Sequence, residues 1–218
     1  MPRSSLSESI VCDTTFETEA RGAGAQLIAG VDEVGRGALA GPVVAAAVML
    51  DLSRIPTGLN DSKKLTTTTR EKLDVEIRAA AIAFAIARVE AEEIDRINIL
   101  RATRQAMVQA ITALTPTPDY LLIDAVPLCE LAINQKAIIK GDAQSVSIAA
   151  ASILAKVARD RWMKDYDQEF PGYGFARHVG YGTAAHLQAL RTLGPSKIHR
   201  LTFRQVLPPV HQTGLFAE

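Results

Sequence analysis

The sequence predicts an α/β fold, a mixed sheet flanked by helices, and the prediction rests on three observations. Short apolar runs rich in Val, Ile, Leu and Ala stand at residues 26–32, 42–50 and 120–124, the length of buried strands rather than of helices. Longer stretches at 92–114, 147–163 and 184–193 carry apolar residues at helical spacing or an alanine-rich face. Strands come first and helix–strand alternation follows, an order that suits a mixed sheet better than an all-parallel one.

Taken in order, residues 1–25 are rich in Ser, Thr, Glu, Gly and Ala and read as a flexible N-terminal tail. Residues 26–32 and 42–50 read as an antiparallel strand pair joined by a glycine loop. After a turn at 56–60, Thr68-x-x-Glu71 fits a capping box that opens a helix running to about Ala80. Ile82, Phe84 and Ile86 alternate with alanines toward Val89, a third strand. Ile94, Ile97, Met107, Ile111 and Leu114 space one or two helices, which Pro116 and Pro118 stop. Tyr120-Leu121-Leu122-Ile123-Asp124 is a buried strand ending in an acid, and Ala137-Ile138-Ile139 a shorter one leading to Lys140-Gly141-Asp142. Residues 147–163 form an alanine-rich helix. Past Pro171 the chain turns loop-like and aromatic, until Thr183 caps a helix over 184–193 that Gly194 and Pro195 end. The organisation is one domain over 26–206 with a C-terminal tail, 207–218.

Composition bounds the function. The 218 residues are 48% hydrophobic and 22% charged, enough for one globular domain with a full core. Formal net charge is zero, so nucleic-acid binding must rest on local clusters rather than a global basic field. Cys12 and Cys129 alone make no disulfide framework and point to a reducing cytoplasm. The polar leader lacks the core of a signal peptide, and runs such as 79–87 are too short to span a bilayer, so no membrane association is expected.

The most informative stretch is Ala29-Gly30-Val31-Asp32-Glu33-Val34-Gly35-Arg36-Gly37, two adjacent carboxylates closing an apolar run, then glycines around an arginine. Asp124 and Asp142 follow later apolar runs, so four acids are placed to converge. Oxygen ligands of this kind suit Mg²⁺ or Mn²⁺, and paired ions serve phosphodiester cleavage. Alone, an Asp-Glu pair reads as solvated surface charge. Neighbouring strand residues also face opposite ways, so Asp32 and Glu33 share one site only if the backbone bends. Gly35-Arg36-Gly37-Ala38-Leu39-Ala40 also spells a dinucleotide fingerprint, but Gly41-Pro42 and a strand-like run follow where that motif needs a helix.

Further blocks complete a pattern. They are Leu39-Ala40-Gly41-Pro42-Val43-Val44, Asn60-Asp61-Ser62-Lys63-Lys64-Leu65, Leu122-Ile123-Asp124, Lys140-Gly141-Asp142, Ser147-Ile148-Ala149-Ala150-Ala151-Ser152, Pro171-Gly172-Tyr173-Gly174-Phe175, His178-Val179-Gly180-Tyr181-Gly182-Thr183 and His199-Arg200-Leu201-Thr202-Phe203. With the Asp32 stretch they run in order from about Leu27 to Phe203, and the chain resembles bacterial ribonuclease HII, the type 2 ribonuclease H.

The resemblance implies a ribonuclease H-like mixed sheet flanked by helices, with a small helical C-terminal portion. It implies an endonuclease that cleaves RNA in RNA–DNA hybrids and at single ribonucleotides in duplex DNA, leaving 5′-phosphate ends. Asp32, Glu33, Asp124 and Asp142 become the catalytic and metal-binding acids, with two ions about 4 Å apart when substrate is bound. Gly35, Arg36 and Gly37 become the loop that reads the ribose 2′-hydroxyl, the group that tells RNA from DNA. Tyr181 becomes a platform for the deoxyribose at the junction. Lys63 and Lys64, with the face of Lys156, Arg159 and Arg161, are candidates for duplex phosphates. The expected partners are hybrid and ribonucleotide-containing duplex, and the expected state is a monomer. The family commonly has lysine where this chain has Val179, so a phosphate contact carried to that position is lost. His178, His186 and His199 lack the local spacing of a zinc site. A catalytically silent hybrid-binding module is the competing class, disfavoured because a pure binder gains nothing from mutually repelling acids. The sister family, ribonuclease HIII, carries an added N-terminal substrate domain for which the short leader leaves no room.

Overall fold

The computed structural model describes residues 12–207. β1 (Ile28–Val34) and β2 (Val43–Leu50) pair antiparallel around the glycine loop, and β3 (Ala81–Val89) pairs antiparallel to β2. β4 (Tyr120–Asp124) and β5 (Asn134–Ile138) extend the sheet in parallel on the other side of β1. The order is β3-β2-β1-β4-β5, the mixed sheet the sequence predicts.

β2 is buried along its whole length because helices cover both faces. Val43, Ala45, Ala47 and Met49 meet Ala106, Met107, Ala110 and Ile111 of α4 (Ile99–Thr112). Val44, Ala46, Val48 and Leu50 meet Ala149, Ala150, Ile153 and Leu154 of α5 (Val146–Glu169), with Leu73 and Ile77 of α2 (Thr67–Ala80) behind them. A strand covered on both sides reads as an unbroken apolar run, which is why it was legible. Each fully buried Val or Leu there contributes about 1.5–3 kcal/mol.

Elsewhere the structure departs from the sequence reading. Part of the segment expected to be a tail is a helix, α1 (Thr15–Gly22), whose Glu17 is fully buried. Glu17 Oε1 accepts hydrogen bonds from Ser145 Oγ at 2.6 Å and Ser147 N at 3.0 Å, satisfying donors at the start of α5. The inward residue is a carboxylate, so the leader shows little apolar pattern. Residues 1–11 of that expected tail, and 208–218 of the C-terminal one, lie outside the described residues.

Thr66, not Thr68, caps α2, accepting from Thr69 N at 3.2 Å, so Glu71 lies inside the helix and closes no capping box. Over 92–114 there are two helices, α3 (Ala91–Ile97) and α4, broken at Asn98, whose φ of 71° leaves the helix and whose Oδ1 accepts from Leu100 N and Arg101 N. β5 contains Ala137 and Ile138 of the run expected at 137–139 but begins earlier, at Asn134, and ends before Ile139, which is exposed. α6 (Phe175–His178) and α7 (Ala184–Leu193), the latter capped by Thr183, form the small helical C-terminal portion. No helix among the described residues is long and apolar enough to cross a membrane.

Candidate active site

The parallel ladder between β1 and β4 runs from Ile28↔Tyr120 to Val31↔Ile123 and stops there. Asp32 and Asp124 are the next residues on each strand, so the register sets them side by side on the face covered by α5. Alternation sends Glu33 toward the opposite face. Its longer side chain nevertheless brings a carboxylate oxygen into a set with Asp32 and Asp124 in which all three ligand atoms lie within 4.8 Å of one another. β1 does not break to allow this, since it stays paired with β2 as far as Val34↔Val44. The adjacent acids meet on an unbroken β1, just past the point where its ladder with β4 ends.

Asp142 sits apart from that set, on a 3-10 turn (Gly141–Ala143), and is buried. Asp61 acts on it as a like charge, and Lys63 Nζ lies 3.8 Å from its Oδ2. Gly141 N donates to Asp124 Oδ1 at 2.7 Å, so the turn that carries Asp142 is fastened to the acid cluster. Asp61 is the residue the sequence reading passed over. Its Oδ1 accepts from Lys63 N at 2.9 Å, and it stood only as a letter within Asn60-Asp61-Ser62-Lys63-Lys64.

The electrostatics are strained in one direction. Burial, then Glu33 and Asp124, push the Asp32 carboxyl well above its ordinary range. Burial raises Glu33 as well, against the pull of Arg36, whose Nη1 lies 3.2 Å from Glu33 Oε1. Burial and Asp61 raise Asp142. Lys63 is raised although partial burial works against it, because Asp142 and Asp32 favour its charged form. Buried, mutually repelling oxygen donors at this spacing fit hard divalent cations, which would relieve the repulsion.

The loop after β1 faces this cluster. Gly35 has φ +91°, and a β-carbon there would overlap the Arg159 side chain, so the position requires glycine. Gly37 is different, since a β-carbon would meet only Tyr181 Cε1 at 4.0 Å. The space in front of Gly37 is thus open, and it is shared with the Tyr181 ring, which is 37% exposed. The Arg36 side chain is half exposed.

Arg159, read from sequence as a phosphate-facing cation, is instead fully buried. It donates to Pro42 O, Val179 O and Ala40 O at 2.9, 2.8 and 3.1 Å, and its guanidinium lies 5.7 Å from the centre of the Tyr181 ring. Arg200 is its counterpart, donating to Gly41 O and Arg36 O, with its pKa lowered to about 9 by burial and by Arg159. These arginines brace the glycine loop against the Tyr181 loop. Only the tertiary fold could reveal this, since arginine is usually exposed. Lys63 and Lys64 are exposed, Lys156 pairs with Asp160 and Arg161 with Asp74. Val179 takes a left-handed φ of 44° and lends its carbonyl to Arg159.

Fold and site together define a class, an acid-cluster nuclease on a ribonuclease H-like sheet. The comparisons narrow it. The family model for Ribonuclease HII matches residues 29–206. The Ribonuclease HII of Geobacter sulfurreducens is 54% identical over 88% of this chain and 88% of its own. Among solved structures, the ribonuclease H2 of Pyrococcus horikoshii OT3 aligns with a TM-score of 0.70 at 28% identity, covering 83% of this chain and 95% of its own. One described as the PCNA:RNase HII complex from Archaeoglobus fulgidus aligns at 0.72 and 27%, covering 82% and 96%. The chain belongs to the ribonuclease HII family and is a ribonuclease H enzyme, which sets aside the silent binding module.

Proposed function

We propose that Asp32, Glu33 and Asp124, with Asp142 beside them, hold Mg²⁺ or Mn²⁺ and that the enzyme hydrolyses phosphodiesters at ribonucleotides, both in RNA–DNA hybrids and singly in duplex DNA. The observation that carries this is the set of three carboxylate oxygens within 4.8 Å, two of them on the strand that runs into the glycine loop. When bound, the ions polarise the phosphate, acidify water and stabilise the departing oxygen. The carboxylates lose their protons as cations bind, since a divalent charge offsets both the burial and the mutual repulsion that hold Asp32 and Glu33 raised. Asp142 joins them on the turn that Gly141 N fastens to Asp124, with Lys63 Nζ 3.8 Å from its Oδ2.

Ribose selection falls to the glycine loop. Backbone at Gly37 has room for a sugar carrying a 2′-hydroxyl, and Gly35 and Arg36 are fixed behind it by Arg159 and Arg200. Arg36 and Lys63 present donors to phosphate, and the half-exposed Tyr181 ring is the surface on which the deoxyribose of a junction stacks. Cleavage leaves 5′-phosphate ends. The reading takes the enzyme as a monomer, and two free cysteines suit the cytoplasm.

The test is end-labelled duplex carrying one ribonucleotide, an RNA–DNA hybrid and all-DNA duplex, with Mg²⁺, Mn²⁺ or chelator. Cleavage of the first two only, only with divalent ion and with 5′-phosphate products, is expected. Gly37→Ala should fold normally yet lose cleavage, because its new methyl meets no protein atom closer than 4.0 Å and so acts on the sugar. Cutting of all-DNA duplex, or full activity of Gly37→Ala, would sink the reading of the loop.

A further inference from the structure

The backbone of Tyr181 is held from behind by three buried histidine rings whose hydrogen bonds run in one direction. His186, on α7, places Nδ1 3.0 Å from Tyr181 O. A carbonyl only accepts, so Nδ1 carries the proton and Nε2 is left as an acceptor. His199 Nε2 lies 3.0 Å away and must be its donor. His199 Nδ1 then accepts from Ser196 N at 2.8 Å. The chain reads Ser196 N–H to His199 to His186 to Tyr181 carbonyl, and both nitrogens of both rings are used. His178 acts on the preceding residue, with Nδ1 accepting from Gly180 N at 3.2 Å and Nε2 donating to Tyr173 O at 2.8 Å. Its ring stacks on His186 with centroids 4.4 Å apart. The exposures of His178, His186 and His199 are 9%, 0% and 2%, so none is placed to touch substrate.

This arrangement does more than fill a core. Gly180 O accepts from Leu39 N at 2.8 Å, which couples the held segment to the chain following Gly37. The ring of Tyr181 is free while its backbone is pinned from both sides, the arrangement a rigid stacking platform needs. We propose that His186 and His199, with Ser196, are positioning residues that set the preference for single ribonucleotides through Tyr181. The inference rests on the reading of Tyr181 as the junction platform.

Asparagine places its amide where Nδ1 of histidine sits, and glutamine where Nε2 sits. At position 186 the Nδ1 donor matters, so His186→Asn should keep the parent ratio of rates on single-ribonucleotide duplex and hybrid, while His186→Gln loses it. At position 199 the Nε2 donor matters, so the order reverses, with His199→Gln tolerated and His199→Asn not. The expected loss in ratio is up to about 100-fold, the scale of a small misplacement near reacting atoms. It should appear in the rates on the single-ribonucleotide substrate, with hybrid cleavage largely kept. Tyr181→Ala is measured beside them. If Tyr181→Ala alters the ratio and the Asn/Gln order does not reverse between the two positions, the histidine proposal is overturned and the platform stands. If Tyr181→Ala leaves the ratio unchanged, both fall. A parallel loss on both substrates with lowered melting temperature would also overturn it, as the signature of a merely structural core. Should the pair at one position fail to fold, the Asn and Gln variants at the other decide alone, and equal ratios for those two overturn the proposal.

Discussion

The enzyme gathers titratable side chains in two buried places and treats them in opposite ways. Around Asp32 the carboxylates face one another, and their countercharges, Arg36 and Lys63, have exposed side chains at the rim. Around His186 each neighbour supplies the donor or acceptor that the ring lacks. Burial shifts Asp32 and Glu33, like His186 and His199, toward the uncharged form. The acids accept single bonds from Glu33 N, Arg36 and Gly141 N yet still face one another as like charges, whereas each histidine nitrogen meets a complementary group. An internally satisfied cluster holds shape. A cluster left in mutual repulsion is waiting for a ligand from outside, and the family to which the chain belongs supplies the reason.

The largest effect should come from removing that repulsion. Asp32→Asn or Asp124→Asn keeps shape and deletes a charge, and turnover should fall by at least about 10²–10³, the cost of losing one group that stabilises the transition state. Without divalent ion, Asp32→Asn should melt no lower than the parent, because a buried, repelled carboxylate is gone. Steady-state cleavage and thermal melts check both halves. Full turnover, or a melt well below the parent, breaks the contrast between the clusters.

A second test exploits the opposite signs of titration. Asp32, Glu33 and Asp142 are raised, so across the window above the ordinary carboxylate range the folded protein holds more protons than the unfolded chain. Without metal, stability therefore falls as pH rises through that window. His186 is lowered from 6.5, and His199 from 6.5 to about 4, so there the unfolded chain binds protons first and stability falls as pH drops below 6.5. A divalent ion at 100 times its Kd adds about 2.7 kcal/mol, or roughly 2–4 °C per kcal/mol in a domain of this size. The gain should grow with pH and vanish in Asp32→Asn, while His199→Gln flattens only the acid limb. Melting curves across pH with and without Mg²⁺ decide it, and a metal effect that survives in Asp32→Asn would place the ions elsewhere.

The two clusters also differ in how far they could be read from sequence. β1, β2 and β4 announced themselves as apolar runs, and Asp32 and Asp124 each followed such a run at the point where the β1–β4 register aligns them. α7 could be read to its bounds because Thr183 and Gly194 are local signals. The histidine network could not be read, because His178, His186 and His199 come from different segments and their bonds exist only after packing. Arg159 and Glu17 failed for a related reason. Charged residues default to the surface, and their burial depends on backbone groups distant in sequence, at Ala40, Pro42 and Val179 for one and at Ser145 and Ser147 for the other. The meeting of Glu33 with Asp32 and Asp124 was also hidden, since alternation alone puts it on the wrong face.

Lys63 offers the smallest and most selective probe of the comparison. Its side chain is 82% exposed and lies 3.8 Å from Asp142, so in the free enzyme it is a rim countercharge rather than a buried partner. An exposed pair contributes little to stability, and Lys63→Ala should leave the melting temperature nearly unchanged. If Lys63 turns to a phosphate when duplex binds, the variant should lose affinity to a similar extent across sequences. Its log–log salt dependence should also flatten by about 1. Turnover at saturating substrate should change far less than in Asp32→Asn, because Lys63 belongs to binding and not to the acid set. Binding isotherms at several salt concentrations give the slope directly. An unaltered slope would mean that Lys63 serves only as the internal countercharge of Asp142, and the acid cluster would then be partly satisfied from within, as the histidines are.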